Sequence, residues 1–117
     1  MDTQALKDRT QRFALEVIAL VQALPKGRLA DVLGNQLLRS GTSVGANYRA
    51  ACRAKSTADF ISKMGTVEEE ADECIYWFEI LVKSGLLSQD LAHDLINEAN
   101  ELLAITVASI NTARRKK

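Results

Sequence analysis

The strongest constraint on the fold is a regular apolar repeat between residues 60 and 81. Its members are Phe60, Met64, Val67, Ala71, Cys74, Phe78 and Leu81. Their spacing alternates between four and three residues, which places all of them on one face of an α-helix, whereas a strand would need a spacing of two. The repeat therefore predicts a long amphipathic helix that packs against other helices.

Similar apolar spacing recurs in three further segments, and Pro25, Gly27 and Gly85 fall between the segments. The sequence contains one proline, Pro25, and six glycines, and so few breakers favour long helices over a β fold with many turns. The predicted helices span residues 3–24, 29–54, 57–84 and 88–113. Because short connections make neighbouring helices antiparallel, residues 1–117 are predicted to form one all-α domain, an antiparallel up-down-up-down four-helix bundle.

The second predicted helix contains a run of small residues where helix propensity alone would interrupt it. Each glycine in this run costs about 1 kcal/mol relative to alanine. Apolar residues nevertheless continue at helical spacing through the run, which favours a continuous helix whose small residues allow a neighbouring helix to approach closely. The residues assigned to this helix crossing are Ser40, Gly41, Ser43, Gly45 and Asn47.

No group of residues in the sequence indicates catalysis or a bound cofactor. The single histidine, His93, does not follow a Glu by three residues, so the Glu-x-x-His pairs of di-iron bundles are missing. Gly41 to Gly45 lacks the Lys-Ser/Thr pair that would complete a phosphate-binding loop. The sequence therefore predicts a non-enzyme without metal, cofactor or small-molecule substrate. Magnesium bound by the carboxylates of residues 68–73 is the one metal alternative.

Targeting and membrane signals are also missing from the sequence. No positively charged leader precedes an apolar segment at the N-terminus, and no apolar run reaches the roughly 18 residues that a membrane span needs. Cys52 and Cys74 do not make a disulfide framework, and neither has a His or CxxC partner. We therefore expect a cytoplasmic protein in which both cysteines pack as small apolar side chains.

The formal net charge of zero conceals a segregation of charge along the chain. Residues 26–63 carry seven basic side chains and two acidic ones, whereas residues 68–101 carry ten acidic side chains and one basic one. The chain ends in the basic run Arg114 to Lys117. This pattern favours polar partners or complementary subunit contacts, and its alternative is that each run is only a solvated helix face.

Cations in the second helix and at the C-terminus predict contacts with nucleic-acid phosphates. Arg49 and Arg53 are four residues apart and share a helix face, and Arg39 precedes Arg49 by close to three turns. Such a stripe would bind the backbone of RNA or DNA without reading its bases. The predicted contact residues are Arg39, Arg49, Arg53, Lys63, Arg114, Arg115, Lys116 and Lys117.

Two alternatives compete with this prediction. For Arg49 and Arg53 we favour internal pairing with acids of the third helix, such as Glu69, Glu70 or Glu73, whereas the C-terminal tail has no such competitor. The second alternative concerns function: the acidic face of the third and fourth helices would bind a basic protein, and the chain would be an adaptor.

Two adjacent aromatic residues lie on the outer flank of the third helix. Tyr76 and Trp77 fall outside its inner apolar stripe, where a monomer would favour polar side chains. Aromatic side chains supply a large buried area in subunit contacts. They therefore predict a homo-oligomer with Tyr76 and Trp77 in the interface.

Three segments together carry a family signature. They are Leu-Leu-Arg-Ser-Gly-Thr-Ser-Val-Gly-Ala-Asn at residues 37–47, Asp-Phe-Ile-Ser-Lys at residues 59–63 and Val-Glu-Glu-Glu-Ala-Asp-Glu at residues 67–73. In these segments the chain resembles the small bacterial four-helix-bundle proteins named for genes in intervening sequences of 23S ribosomal RNA. Many members continue from Ala-Asn to a Glu-Gly pair, whereas this chain has Tyr48-Arg49-Ala50 after Asn47. The role of the Glu-Gly turn in those members is therefore not assigned to these residues.

The resemblance implies a closed-ring homo-oligomer, typically a pentamer, without established catalytic activity. A related group of bundle proteins in diversity-generating retroelements binds nucleic acid and a reverse transcriptase, which supports RNA or DNA as a partner by analogy. Under this resemblance Ser40, Ser43 and Asn47 join the cations as contact residues. The alternative, which we favour, is that these three hydrogen-bond at the helix crossing.

Overall fold

A computed structural model describes residues 2–116, which form four α-helices and no strand. The helices are α1 (Thr3–Gln22), α2 (Arg28–Cys52), α3 (Thr57–Lys83) and α4 (Gln89–Arg115). The predicted all-α class is confirmed. Helix α1 ends before residue 24, where its end was predicted, because Pro25 disfavours helical geometry in the residue that precedes it.

Side chains placed at the helix starts explain why three of the helices begin where they do. The carboxylate of Asp2 accepts a hydrogen bond from the Ala5 N–H at 2.7 Å. The hydroxyl oxygens of Ser56 and Ser88 accept equivalent bonds from residues three positions later, at 3.0 and 3.2 Å. Each bond satisfies a donor that the first helical turn leaves unpaired. Gly85, at a φ of +84°, then turns the chain between α3 and α4.

Helices α1 and α2 run antiparallel and approach closely at two glycines. A Cβ added to Gly41 would lie 2.8 Å from Cγ1 of Val17, and one added to Gly45 would lie 3.2 Å from Oγ1 of Thr10. Positions later in α2 therefore face positions earlier in α1. At Gly41 a side chain would force the two helices or Val17 to shift, whereas at Gly45 it would make a tight contact.

The side chains of two other residues of the crossing, Ser40 and Asn47, form hydrogen bonds within α2. The Ser40 hydroxyl donates to the Gln36 carbonyl oxygen at 3.0 Å, and Nδ2 of Asn47 donates to the Ser43 carbonyl oxygen at 2.8 Å. Such bonds to the preceding turn satisfy half-buried or buried polar groups without a partner from another helix. Helix α2 is therefore continuous through the whole small-residue run, as predicted.

The four helices form a bundle 48 Å long and about 20 Å across, with its core along the axis. Helix α2 packs against α1 and α3, and α3 packs against α4, whereas α1 and α4 pack against each other least. The largest fully buried side chains come from all four helices: Phe13 and Val17, Leu37 and Val44, Met64, Phe78 and Leu81, and Leu102. The repeat on α3 supplies six buried positions, and its first member, Phe60, is half-buried near the end of the bundle.

Candidate nucleic-acid interface

The alternating helix directions gather cations from distant parts of the sequence at one end of the bundle. The C-terminus of α2, the α2–α3 connection and the C-terminus of α4 meet there, because Lys55 and Lys116 line the same cleft. We call this region the basic end. It consists of Arg49, Arg53, Lys55, Arg114, Arg115 and Lys116, all of them exposed. The predicted contact Lys117 lies outside the described residues.

The cations of the basic end are not neutralised within residues 2–116. None of the six forms an ion pair with a carboxylate of that range. Asp59, a nearby acid, is already occupied: its two carboxylate oxygens accept bonds from Lys63 Nζ at 2.7 and 2.8 Å, and one also accepts the Lys55 N–H. The bond from Lys63 lowers the pKa of Asp59 below its usual value. The six cations are therefore open to an external anion.

Two of the sequence-predicted contact residues lie in internal ion pairs instead. Lys63 is bound to Asp59 one turn earlier on α3. Arg39 donates through Nη1 to Glu70 Oε2 at 3.1 Å and through Nη2 to Glu73 Oε1 at 2.9 Å. The structure thus separates Arg39 and Lys63 from the basic end.

Arg39 makes the pairing with α3 that we favoured for Arg49 and Arg53. Ten residues turn an α-helix by about 1000°, roughly 80° short of three full turns, so Arg39 and Arg49 point in different directions. Arg39 faces α3, whereas Arg49 lines a groove between α1 and α2 together with Lys7 and Asp8. Arg39 and Arg49 therefore lie on different faces of α2 and do not form the predicted basic stripe.

The glutamates that bind Arg39 are not equivalent. Glu70 is buried, with 7% of its surface exposed, and Glu73 is half-buried beside it. Desolvation, followed by the hydrogen bond and the negative charge of Glu70, raises the pKa of Glu73 above its usual value. Arg39 therefore compensates negative charge that the α2–α3 contact partly removes from water.

A second ion-pair cluster, which the sequence patterns did not predict, lies between α1 and α4. Arg9 donates to both carboxylate oxygens of Glu98 at 2.7 Å and to Glu101 Oε1 at 2.9 Å. The bonds that Arg9 donates to Glu98 raise the pKa of the guanidinium above its already high value. Arg9 flanks the buried stripe of α1, and a charged residue in that position is the sequence signal that could have indicated the contact.

The predicted interface aromatics lie toward the other end of the bundle. Tyr76 is 53% exposed, and its ring meets the half-buried Trp77 ring edge to face with the centroids 5.0 Å apart. The Trp77 Nε1–H is buried without a hydrogen-bond partner among residues 2–116. A buried N–H in this state is uncommon and costs free energy in the isolated chain.

Two exposed aliphatic residues of α2 lie in the same half of the bundle as this aromatic pair. Arg39 contacts Glu73, and at 1.5 Å per residue Val32 lies about 10 Å from Arg39 along α2, whereas Trp77 lies about 6 Å from Glu73 along α3. Leu29 and Val32 are 57% and 53% exposed. We call Leu29, Val32, Tyr76 and Trp77 the apolar face. Val32 lies about 31 Å along α2 from Arg53 at the basic end.

The side chains that could bind a metal ion or act as nucleophiles are not grouped into a site in the described part of the chain. Within residues 2–116 no three His, Cys, Asp or Glu side chains are grouped so that they could hold a metal ion. His93 is exposed and contacts Asp94 at 3.4 Å. Cys74 is buried in the core, where desolvation raises its pKa to about 12, and Cys52 is half-buried at the basic end.

None of the helices in the described part of the chain combines the length and the apolar character that crossing a membrane requires.

Comparison with known proteins identifies the family. A family model described as 23S rRNA-intervening sequence protein matches residues 3–108, a stretch that stops before Arg114. No curated protein compared with the chain matches it significantly. The crystal structure of a protein of unknown function from the S23 ribosomal protein family of Bacteroides thetaiotaomicron superposes with a TM-score of 0.88. It shares 33% sequence identity, over 95% of this chain and 99% of that one. The chain belongs to the family of 23S rRNA-intervening sequence proteins.

Proposed function

We propose that this chain is a non-catalytic, homo-oligomeric bundle protein that binds RNA or DNA through its basic end. The observation that carries the proposal is the contrast between two sets of cations. Arg9, Arg39 and Lys63 each bind carboxylates of the chain itself, whereas the six cations of the basic end bind none within residues 2–116. Clustered unpaired cations are the electrostatic feature that nucleic-acid phosphates recognise.

The binding would be insensitive to base sequence where it depends on these cations alone. Their long side chains project from helix ends and a connection, and phosphate contacts of this kind position a nucleic acid without specifying its bases. If all six cations contact phosphates of a duplex, the logarithm of the binding constant should fall with the logarithm of salt concentration with a slope of about −5.

The ion pairs reduce the acidic surface that the alternative adaptor function requires, but they do not remove it. Glu70 and Glu73 bind Arg39, and Glu98 and Glu101 bind Arg9, so these four acids contribute little to attraction of a basic protein. The acids of α3 and α4 that form no ion pair within residues 2–116 are Glu68, Glu69, Asp72, Glu79 and Asp90. The adaptor alternative depends on these five, whereas the proposal of nucleic acid as the partner depends on the unpaired cations at the basic end.

The homo-oligomeric part of the proposal is supported by the apolar face. Leu29, Val32 and Tyr76 are exposed, and Tyr76 contacts Trp77, whose buried N–H has no partner among residues 2–116. A second copy of the chain would cover this apolar area and could supply an acceptor for Trp77 Nε1. The apolar face and the basic end are far apart, so assembly would leave the basic end accessible.

A salt titration tests the function. Fluorescence anisotropy would measure binding of a labelled RNA of arbitrary sequence, and of DNA of the same sequence, from about 25 to 200 mM salt. We expect binding at low salt that weakens steeply as salt increases. Absence of any salt-sensitive affinity at the lowest ionic strength would show that the chain does not bind nucleic acid. A complex with a basic protein under the same conditions would then favour the adaptor alternative.

A further inference from the structure

The basic end contains an open cleft of about 840 Å³ between the α2–α3 connection and the last turns of α4. Tyr48 and Phe60 contribute aromatic groups to it, Ile105 an aliphatic one, and Lys55 and Lys116 contribute cations. Its volume falls within the roughly 300–1,000 Å³ of small-ligand sites. The cleft therefore has room for a ligand group that enters from the charged surface.

Small side chains line part of the cleft. Ala51 from α2, Ala54 from the α2–α3 connection, and Ala108 and Ala113 from α4 all border the space, and none of them is large enough to fill it. Well-packed interiors seldom leave voids of this size. The opening is thus a consequence of residue size at this end of the bundle.

The lining of this cleft differs in charge from the linings of two other grooves on the bundle. Its described lining includes no carboxylate, whereas the groove between α1 and α2 includes Asp8, and the groove near the start of α4 includes Glu16 and Asp94. An anion would therefore enter this cleft without facing a negative charge on its walls. Hydroxyl groups are also present on the lining, from Thr57, Ser109 and Thr112 among others.

We infer that this cleft holds one unpaired nucleotide, with its phosphate at Lys55 and Lys116 and its base against Phe60. The inference rests on the proposed function and specifies its ligand as single-stranded rather than duplex nucleic acid. An unpaired nucleotide combines an anion, a flat base that stacks on an aromatic ring, and polar edges that hydroxyl groups can bind. A duplex keeps its bases paired inside, so only its phosphates reach the protein.

The strand preference can be measured with three probes of equal length, of which the duplex carries twice as many phosphates as either single strand. These are a labelled single-stranded RNA, the same strand paired with its complement to form a duplex with one labelled strand, and an abasic strand that keeps the backbone. We expect the single strand to bind more tightly than the abasic strand by about fivefold or more, the smallest effect usually seen for one stacked base. Phe60→Leu, which removes the ring and keeps an apolar side chain, should reduce this advantage without weakening duplex binding.

Cys52 gives a second readout that needs no variant, because it lines the cleft while Cys74 is buried in the core. Alkylation of Cys52 by iodoacetamide, followed by mass spectrometry, should slow when single-stranded RNA is added and stay unchanged with the abasic strand. Cys74 serves as the internal control for unfolding. This measurement still decides the inference if Phe60→Leu fails to fold.

The outcomes separate the inference from the function on which it rests. If the single-stranded, abasic and duplex probes bind equally and Cys52 is not protected, the cleft is not a nucleotide site. Phosphate binding at the basic end would remain supported by that result. Protection of Cys52 by an anionic amphiphile such as decanoate, but not by RNA, would also overturn the nucleotide site. Failure of every nucleic-acid probe to bind at low salt would overturn both.

Discussion

Arg39 on α2 and Glu70 on α3 form an ion pair of 3.1 Å in which the carboxylate is buried and the guanidinium is exposed. The pair joins two helices, and Glu73 extends it by one turn at 2.9 Å. Its arrangement shows that Arg39 compensates a charge buried by folding. It also explains why the basic end does not include this arginine.

Replacement of Arg39 should therefore affect stability and not nucleic-acid binding. In Arg39→Gln, Glu70 loses its cation while still largely removed from water, and we expect the free energy of unfolding to fall by about 1 kcal/mol, since exposure of the guanidinium weakens the pair. Urea denaturation followed by circular dichroism would measure this. Loss of RNA affinity as large as that in Arg53→Gln would place Arg39 in the interface after all.

The close contact between Gly41 and Val17 leads to a second expectation. In Gly41→Ala the new methyl group would lie 2.8 Å from Cγ1 of Val17, whose β-branched side chain is fully buried and cannot rotate aside easily. Overpacking of this kind should destabilise the bundle by about 1–3 kcal/mol, which outweighs the gain in helix propensity of about 1 kcal/mol.

Gly65 on α3 is the matched control for this substitution. It also lies within a helix, but a Cβ at this position would meet no atom within 4 Å. Gly65→Ala should therefore stabilise the protein by up to about 1 kcal/mol. Thermal unfolding of the two alanine variants would test the difference, and equal stability changes in both would contradict the close approach of α1 and α2 at Gly41.

Burial of Cys74 should make the protein less stable in alkali. Its pKa is raised from 9.0 to about 12 in the folded state, so above pH 9 the unfolded chain loses this proton while the folded chain keeps it. The stabilisation is fully present below pH 9 and is lost as pH increases toward 12. The melting temperature of the wild type should fall between pH 8.5 and 10.5, and Cys74→Ala should show a shallower decrease from its own starting value. Parallel curves for the two proteins would contradict the assignment.

The apolar face should determine the assembly state. The chain has a mass of 12.9 kDa, and a pentamer, the state that the family resemblance favours, would have a mass of about 65 kDa. Because a carboxylate at the centre of an apolar contact would be desolvated without a partner, Val32→Glu and Trp77→Glu should both yield monomers in light scattering.

Leu15→Glu is the control for these two variants, since Leu15 is an exposed apolar residue on α1, outside the apolar face. We expect it to keep the assembly of the wild type. Circular dichroism would establish that all three variants retain their helices. Helical Val32→Glu and Trp77→Glu proteins that keep the wild-type mass would exclude this face as the interface.

The helices could be predicted from the sequence because the patterns that indicate them involve residues close together in the chain. The apolar spacing on α3 depends only on the helical period, and Asp2 and Ser56 cap helices through bonds to residues three positions later. The glycines of α2 could be assigned to a helix crossing, but the identities of Val17 and Thr10 as their neighbours needed the packed structure.

The ion pairs could not be predicted residue by residue, since they depend on how each helix is rotated in the bundle. Arg39 and Arg49 appear equivalent along the sequence, yet the helical period turns one toward α3 and the other toward α1. The pairing of Arg9 with Glu98 connects residues 89 positions apart. By contrast, the meeting of Lys55 and Lys116 follows from the antiparallel order, and the sequence contained enough information to predict it.

The central claim, binding of nucleic acid at the basic end, is tested most directly by two triple variants of equal charge. One is Arg53→Gln/Arg114→Gln/Arg115→Gln at the basic end, and the other is Lys26→Gln/Arg28→Gln/Lys83→Gln at the opposite end. Anisotropy with one labelled RNA at several salt concentrations would compare them. We expect the basic-end variant to bind more weakly with a salt slope reduced by about three, and the other variant to bind nearly as the wild type does. Equal affinities and equal slopes for the two variants would contradict the claim.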